Sequence, residues 1–465
     1  MENKSILRAT YIFVLLFLIM MAYFSYYLGV KSEAQMNNSY NKLTKKLGEY
    51  TVRGKIYSSD GKVLAETVTD ENGKETRSYP YDDLFCHVVG TTAYGQSGLE
   101  SVYDYQLLTS DISWVSKIFI DLKGRKYEGN NIITTLNTEF QKAASEAMSD
   151  YKGAIVIMEA DTGKVITMMS NPTFNPNTLS EQWDAVSADK NSPLVNRATM
   201  GLYTPGSIFK LFTLEEYLEE GGQSSEYIFN CTGAVHISGT NINCANGHSH
   251  GTVDLMGSFS NSCNGSFINI GNLLKKGSLK KLCDRMLFNS NLPIKLPYNK
   301  SSFALRDDAD DFLKAQTYFG QGETLCTPIH MALICSAIAN DGVIMEPMFV
   351  ERIENAYGKT VESFEPKEYK TIFSKVQTDN LKPYLRSVVE EGTAVRLNDF
   401  TNLTVYGKTG TAQIDNGNKS NSWFIGFFEK GGKAYSIAVV CEDVPNNVSP
   451  SITVTKDILK VFDTQ

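Results

Sequence analysis

The stretch Thr204–Thr213, TPGSIFKLFT, holds a serine and, three residues later, a lysine. On a helix, positions i and i+3 are neighbours on one face. A serine hydroxyl is a poor nucleophile at neutral pH unless a base sits beside it. A lysine serves as that base only when desolvation lowers its pKa. Ile208, Phe209, Leu211 and Phe212 supply apolar surroundings for Lys210. Pro205-Gly206 places Ser207 in a first helical turn, where unpaired N–H groups and the helix dipole favour developing negative charge. Taken alone, the spacing is common by chance, and two helix residues sharing a face is the plainer reading.

Two further stretches change that balance. SNSCNGSF carries Ser262, Cys263 and Asn264, and VYGKTGTAQ carries Lys408, Thr409, Gly410 and Thr411 on an expected strand. Each residue has a physical task. Ser262 can relay a proton to a leaving amine, and Asn264 can hydrogen-bond a substrate peptide group. Lys408 and Thr409 can hold a terminal carboxylate, and Gly410 lets a substrate lie close to the strand. The backbone N–H groups of Ser207 and Thr411 can form an oxyanion hole. Ser-x-x-Lys, Ser-x-Asn and Lys-Thr-Gly, in that order, are the motif set of penicillin-binding proteins and serine β-lactamases.

The chain of 465 residues has room for two or three domains, and its 42% apolar and 21% charged residues are ordinary for a globular protein. A net charge of -8 argues against nucleic acid as a partner. Ala9–Leu28 is an uncharged run of twenty residues, the length a helix needs to cross a bilayer. Lys4 and Arg8 precede it, which puts the short N-terminus in the cytoplasm and the rest of the chain outside. A cleaved signal peptide is the competing reading, but the run is long and only a weak SEA follows it. Cys283, Cys326, Cys335 and Cys441 lie in apolar surroundings and read as core residues.

After a polar linker, RGKIYSSDGKVLAET and GAIVIMEADTGKVITMMS each read as a β-hairpin around an Asp-Gly or Asp-Thr-Gly turn. NIITTLNTEFQKAASEAM reads as a strand entering a helix capped by Asn137 or Thr138. Residues 175–395 read as mostly helical, and three strand patterns and a helix close the chain. Strands at both ends with helices between predict an α+β fold, an antiparallel sheet packed against a helical subdomain.

With the three motifs in place, the chain resembles class B penicillin-binding proteins, monofunctional peptidoglycan D,D-transpeptidases held by a single membrane anchor. RGKIYSSDGKVLA and GQSGLE are similar to the family's N-terminal motifs. LVNRATMGLYTPGSIFK, FGQGETLCTPIHMALICSAIANDG, VVEEGTAVR and SWFIGF are similar to its catalytic segments. The resemblance implies a transpeptidase fold with an all-helical subdomain and a small N-terminal pedestal. It divides the chain into a cytoplasmic tail (1–8), a transmembrane helix (9–29), a pedestal (30–150) and a transpeptidase domain (151–465). Arg53 and Gly54 then read as structural anchors of the pedestal. The implied reaction is acylation of Ser207 by a stem peptide, with Lys210 as base and Ser262 passing the proton to the departing D-Ala. An amine of a neighbouring stem resolves the acyl-enzyme. Stem peptides, β-lactams and a SEDS-type glycan polymerase are the implied partners, and no cofactor is needed for catalysis.

One cluster lies beyond that pattern. FNCTGAVHISGTNINCANGHSHGTVD holds three of the five histidines and two cysteines. Cys231, Cys244, His248 and His250, with His236 as a spare, have the ligand types of a structural zinc site. Two other readings stand beside it: a Cys231–Cys244 disulfide, and a plain His250-Gly251 turn, which the resemblance also implies. The functional alternatives are a D,D-carboxypeptidase or serine β-lactamase, and a non-catalytic β-lactam sensor or scaffold. The first would bring a water-activating glutamate for deacylation, and the second would need further membrane spans or would have lost a motif residue.

Overall fold

The computed structural model describes residues 2–27, 42–414, 418–446 and 448–464. Helix α1 (Glu2–Tyr26) contains one span long and apolar enough to cross a membrane, and none of it is buried against the rest of the chain. Helix α2 (Lys42–Tyr50) leads into β1 (Thr51–Val52), β2 (Ile56–Tyr57), β3 (Val63–Thr69) and β4 (Glu75–Ser78). The expected hairpin is β2–β3, turning at Asp60-Gly61 where Gly61 has φ +76°. Helix α3 (Trp114–Leu122) precedes β5 (Tyr127–Glu128) and β6 (Asn131–Thr134), and α4 (Thr138–Met148) follows. Asn137 caps α4, its side chain accepting from the backbone N–H groups of Glu139 and Phe140.

Strands β7 (Gly153–Glu159) and β8 (Val165–Asn171) form the second expected hairpin. They sit at one end of a five-stranded sheet whose order is completed by β19 (Lys433–Pro445), β18 (Lys419–Lys430) and β17 (Thr404–Ile414). Every neighbouring pair in it is antiparallel. Strand β18 is buried on both faces, which is why SNSWFIGFF runs apolar without alternating. Gly431 and Gly432 both take positive φ in the two-residue β18–β19 turn, the requirement of a type I′ hairpin. Strand β17 is an edge of the sheet. An almost wholly buried helix, α8 (Pro328–Ala339), covers β7, β18 and β19. Helices α4 and α9 (Pro450–Thr464) also pack on the sheet and meet each other through stacked Phe140 and Phe462 rings.

The middle of the chain is less purely helical than its sequence suggests. Helices α5 (Lys210–Glu219), α6 (Leu255–Ser260) and α7 (Asn264–Leu273) are joined by short strands β9 (Ile228–Cys231), β10 (Ala234–Ile237), β11 (Thr240–Asn243) and β12 (Gly251–Asp254). Four more strands follow: β13 (Val343–Met345), β14 (Val350–Glu354), β15 (Thr360–Ser363) and β16 (Glu368–Thr371). Strands β14 and β15 join β6, β2, β3 and β4 in a six-stranded sheet, so the N-terminal and C-terminal parts share backbone pairing. Beneath that sheet, Glu100 is fully buried between Arg53 Nε at 2.6 Å and Arg77 Nε at 2.7 Å. Arg53 also pairs with Asp104. A Cβ on Gly54 would lie 1.9 Å from the Asn130 carbonyl oxygen. Both residues are thus structural anchors, as their motif implied.

Candidate active site

Ser207 lies in a 3-10 turn, Gly206–Phe209, that runs directly into α5. In such a turn, residues three apart stack one above the other, and Ser207 Oγ is 3.0 Å from Lys210 Nζ. Gly206 has φ +57°, and a Cβ there would meet the Thr411 carbonyl at 2.6 Å. Glycine therefore lets the turn that carries Ser207 press against β17. The same contact changes the reading of Gly410: the space at its Cα is filled by Pro205 and Ile208, not by room for a substrate.

Lys210 Nζ is the hub. It is fully buried and lies 2.6 Å from the Ser262 carbonyl, 2.7 Å from Asn264 Oδ1 and 3.0 Å from Ser262 Oγ. The carbonyl and amide oxygens can only accept hydrogen bonds. A neutral amine satisfies both with its two N–H groups and keeps a lone pair for a serine hydroxyl. Burial lowers the Lys210 pKa to about 7, against a smaller opposing pull from Cys263 and Cys244. Ser262 holds φ +56°, a left-handed conformation that costs a non-glycine residue on the order of 1–3 kcal/mol and aims its hydroxyl and carbonyl at one nitrogen. The Asn264 amide nitrogen donates to the Asn243 carbonyl at 2.8 Å, so the end of β11 holds this side chain in place.

Lys408 is also fully buried, and burial, with the nearby Lys210 charge, pushes its pKa well down. Its ammonium sits 5.5 Å over the Phe259 ring, and Lys210 sits 5.6 Å over Phe267. Two aromatic faces from α6 and α7 thus line the two lysines. Thr409 Oγ1 lies 2.5 Å from Thr393 Oγ1, and the Gln321 amide donates to the Thr411 carbonyl at 3.3 Å. Neither Thr393 nor Gln321 was singled out by the sequence, although both lie in segments that carried the resemblance.

The structure gathers all three motifs around one hub. A family model for the penicillin binding protein transpeptidase domain matches residues 153–460. The chain belongs to that family. A model for the penicillin binding protein A dimerisation domain matches residues 53–132 of this penicillin-binding protein. The chain is 27% identical over 428 residues to peptidoglycan D,D-transpeptidase PbpA of Mycolicibacterium smegmatis, covering 87% of this chain and 86% of that one. It superposes on the D,D-transpeptidase domain of a peptidoglycan glycosyltransferase from Eggerthella lenta with a TM-score of 0.78 and 30% identity, covering 90% of this chain and 100% of that one. It shares its fold with penicillin-binding protein A of M. tuberculosis, solved as an imipenem acyl-enzyme, at a TM-score of 0.81, 24% identity and 90% and 99% coverage.

The cysteine–histidine cluster is real but differently composed. Cys231, Cys244, Cys263 and His250 offer ligand atoms all within 4.8 Å of one another. The sulfur of Cys244 lies 3.7 Å from that of Cys231 and 3.9 Å from that of Cys263, and Cys231 Sγ lies 3.4 Å from His250 Nδ1. His248 stands outside the group, exposed, with its ring edge-on to His250 at 5.0 Å. Its place is taken by Cys263, the middle residue of the Ser-x-Asn motif. The register explains the exchange: β9 pairs with β12 so that Cys231 faces Gly251, bringing the adjacent His250 inward. His236 is turned away, bonded to Asn241 at 2.8 Å. The Cys231 and Cys244 sulfurs, 3.7 Å apart, are not bonded to each other in this structure.

Proposed function

We propose that this protein cross-links peptidoglycan as a D,D-transpeptidase through an acyl-enzyme on Ser207. The observation that carries it is the buried Lys210 amine, 3.0 Å from both Ser207 Oγ and Ser262 Oγ. Lys210 takes the Ser207 proton as Oγ attacks the carbonyl of the penultimate D-Ala. The backbone N–H groups of Ser207 and Thr411 hold the oxyanion. The Lys210 proton passes through Ser262 Oγ to the peptide nitrogen, the C–N bond breaks and D-Ala departs. An amine from a second stem attacks the ester, and its proton passes by way of Lys210 to the departing Ser207 Oγ, which restores the serine hydroxyl and the neutral lysine. Asn264 borders the acyl chain, Thr409 and Thr411 take the substrate carboxylate along the open edge of β17, and Lys408, buried behind that edge, completes the carboxylate site. A β-lactam acylates the same hydroxyl, but its leaving nitrogen stays tethered, so deacylation stalls. Incubating the detergent-solubilised chain with benzylpenicillin should add one whole penicillin, mapped by peptide analysis to Ser207 and persisting for hours. A label elsewhere overturns the assignment, and rapid loss of the label moves the protein to the β-lactamases.

The proposed division is an anchor at 9–29, a pedestal at 30–150 and a transpeptidase domain at 151–465, and the spans of the two family models support it. The anchor, entered from a cytoplasmic N-terminus with Lys4 and Arg8 before it, leaves the catalytic part outside. Its membrane partner is then a SEDS-type glycan polymerase. Exchanging the anchor and residues 50–110 for unrelated sequence should abolish co-purification with that polymerase, and undiminished co-purification rules the contact out.

We further infer that Cys231, Cys244, Cys263 and His250 hold one structural Zn²⁺. Tetrahedral ligation at a Zn–S distance of about 2.3 Å sets sulfurs about 3.8 Å apart, and the observed separations are 3.7 and 3.9 Å. Cys263 lies between Ser262 and Asn264 and caps α7 by accepting from Ser266 N, so a metal here would stiffen the active-site wall without touching substrate. Native mass spectrometry should show one zinc, lost on denaturation with a chelator and absent in Cys231→Ser. A chain lighter by two protons and metal-free would mean a disulfide instead.

A further inference from the structure

Helix α3, Trp114–Leu122, turns its apolar side to solvent. None of its nine residues is buried, and Trp114, Phe119 and Leu122 are 73%, 61% and 78% exposed. Val115 and Ile118 are exposed as well and fall on the same face by helical spacing. A soluble surface rarely shows so much contiguous apolar area without a use. The helix itself is well formed: Ser113 caps it by accepting from the Ser116 N–H at 3.1 Å. Behind it lies an open cavity of about 420 Å³, lined by Ile120, Tyr357, Lys123 and Arg125 among others.

The flanking charge is basic. The segment 114–128 carries Lys117, Lys123, Arg125 and Lys126 against Asp121 and Glu128. Lys126 is spent on Glu75 at 2.9 Å, and Lys117 sits over the Tyr127 ring at 5.8 Å. Asp121 accepts from the Tyr127 hydroxyl at 2.5 Å. Lys123 and Arg125 are exposed and make no ion pair with any described residue.

Position completes the case. Strand β5 follows α3 within five residues and pairs in parallel with β1, which follows α2 directly. Only residues 28–41 separate the anchor helix region from α2, a stretch whose reach cannot exceed roughly 50 Å. Helix α3 therefore stands at the end of the protein where the chain arrives from the anchor. A short helix with Trp, Phe and Leu on one face and cations at its border suits the headgroup region of an anionic bilayer, where it sinks to the acyl boundary.

We propose that α3 docks on the anionic lipid surface of the membrane that holds α1, with Trp114, Phe119 and Leu122 at the acyl boundary and Lys123 and Arg125 on lipid phosphates. This rests on the anchor reading above. It gives the pedestal a second attachment and so fixes its tilt, where a single tether would let it swing.

The full chain, reconstituted into phosphatidylglycerol vesicles with brominated acyl chains, tests this by tryptophan quenching. The protein has three tryptophans, of which Trp423 is buried in the core and Trp183 is stacked on Tyr94. Bromine should remove the emission of one tryptophan, and Trp114→Phe should abolish that loss. The double variant Phe119→Asp/Leu122→Asp should reduce it several-fold, and phosphatidylcholine vesicles should show less of it. Equal quenching in wild type and Trp114→Phe overturns the proposal, as does indifference to headgroup charge. Shielding of Trp114 that rises with protein density and not with lipid charge would assign the face to a second copy, also overturning it. Flotation with the vesicles reports the anchor separately: a chain that floats unquenched refutes only α3, and one that does not float refutes the anchor.

Discussion

Ser207→Ala is expected to take up no benzylpenicillin while melting at the wild-type temperature, because Ser207 is half-buried at the site mouth and its loss opens no core cavity. Lys210→Ala should still label, but about 10²–10⁴ times more slowly, the usual worth of a positioned general base. The pH profile separates the base from a mere neighbour. Burial sets the Lys210 pKa at about 7, so below that pH the amine holds its proton and cannot accept one from Ser207. Labelling of the wild type should rise as pH climbs through about 7 and then level off, and labelling of Lys210→Ala should be flat across that range. Stopped-flow acylation with a fluorescent penicillin measures both. An unchanged pH profile in Lys210→Ala would remove Lys210 from the role of base.

Glu100→Ala should cost about 3–5 kcal/mol of folding stability, because it leaves the Arg77 guanidinium buried without its counter-charge and Arg53 with Asp104 alone. Glu100 is fully buried and accepts from both Arg53 and Arg77. Burial pulls its pKa upward, but attraction to Arg77 and Arg53 outweighs that and holds it below the ordinary carboxylate value of 4.5. Its contribution to stability is therefore present above that unfolded value and is lost as pH falls through the depressed folded one. Glu100→Gln keeps the shape and some hydrogen bonding and should cost less. Urea unfolding of the detergent-solubilised chain gives the difference, and penicillin labelling per folded molecule should not change. A loss under 1 kcal/mol for Glu100→Ala would mean that water reaches and satisfies Arg53 and Arg77.

What the sequence conveyed, and what it did not, divides along range. The Asp161-Thr162-Gly163 hairpin, the Asn137 cap and the Ser207–Lys210 pair are set by residues a few positions apart, and each appears where the pattern puts it. Strands β9 to β12 were lost in a helical reading because each is only four residues long and is held by its partner more than by its own pattern. The addition of β14 and β15 to the N-terminal sheet joins Ile353 to Ile132, and no local signal announces it. The metal-type cluster shows the same limit. Linear spacing favoured His248, whereas hairpin register and the turn before α7 deliver Cys263. Cys263 was visible inside the Ser-x-Asn motif, but nothing in the sequence said that β9 would fold back onto it.

The order of strands in the five-stranded sheet has a consequence for how the molecule is made. Strand β19 pairs with β7, Ile437 against Ile157, and the whole helical middle of the chain is looped out between them. A chain emerging N-terminus first displays β7 and β8 long before β18 and β19 exist to cover them. Both strands are almost wholly buried in the finished protein, so during that interval a sticky apolar hairpin lies bare. Closing so large a loop is also slow, since its entropy must be lost before the sheet's contacts reward it. The step that seals β7 against β19 is thus a natural point for a chaperone to attend, and truncation from the C-terminal side should leave an aggregating fragment, not a smaller folded one.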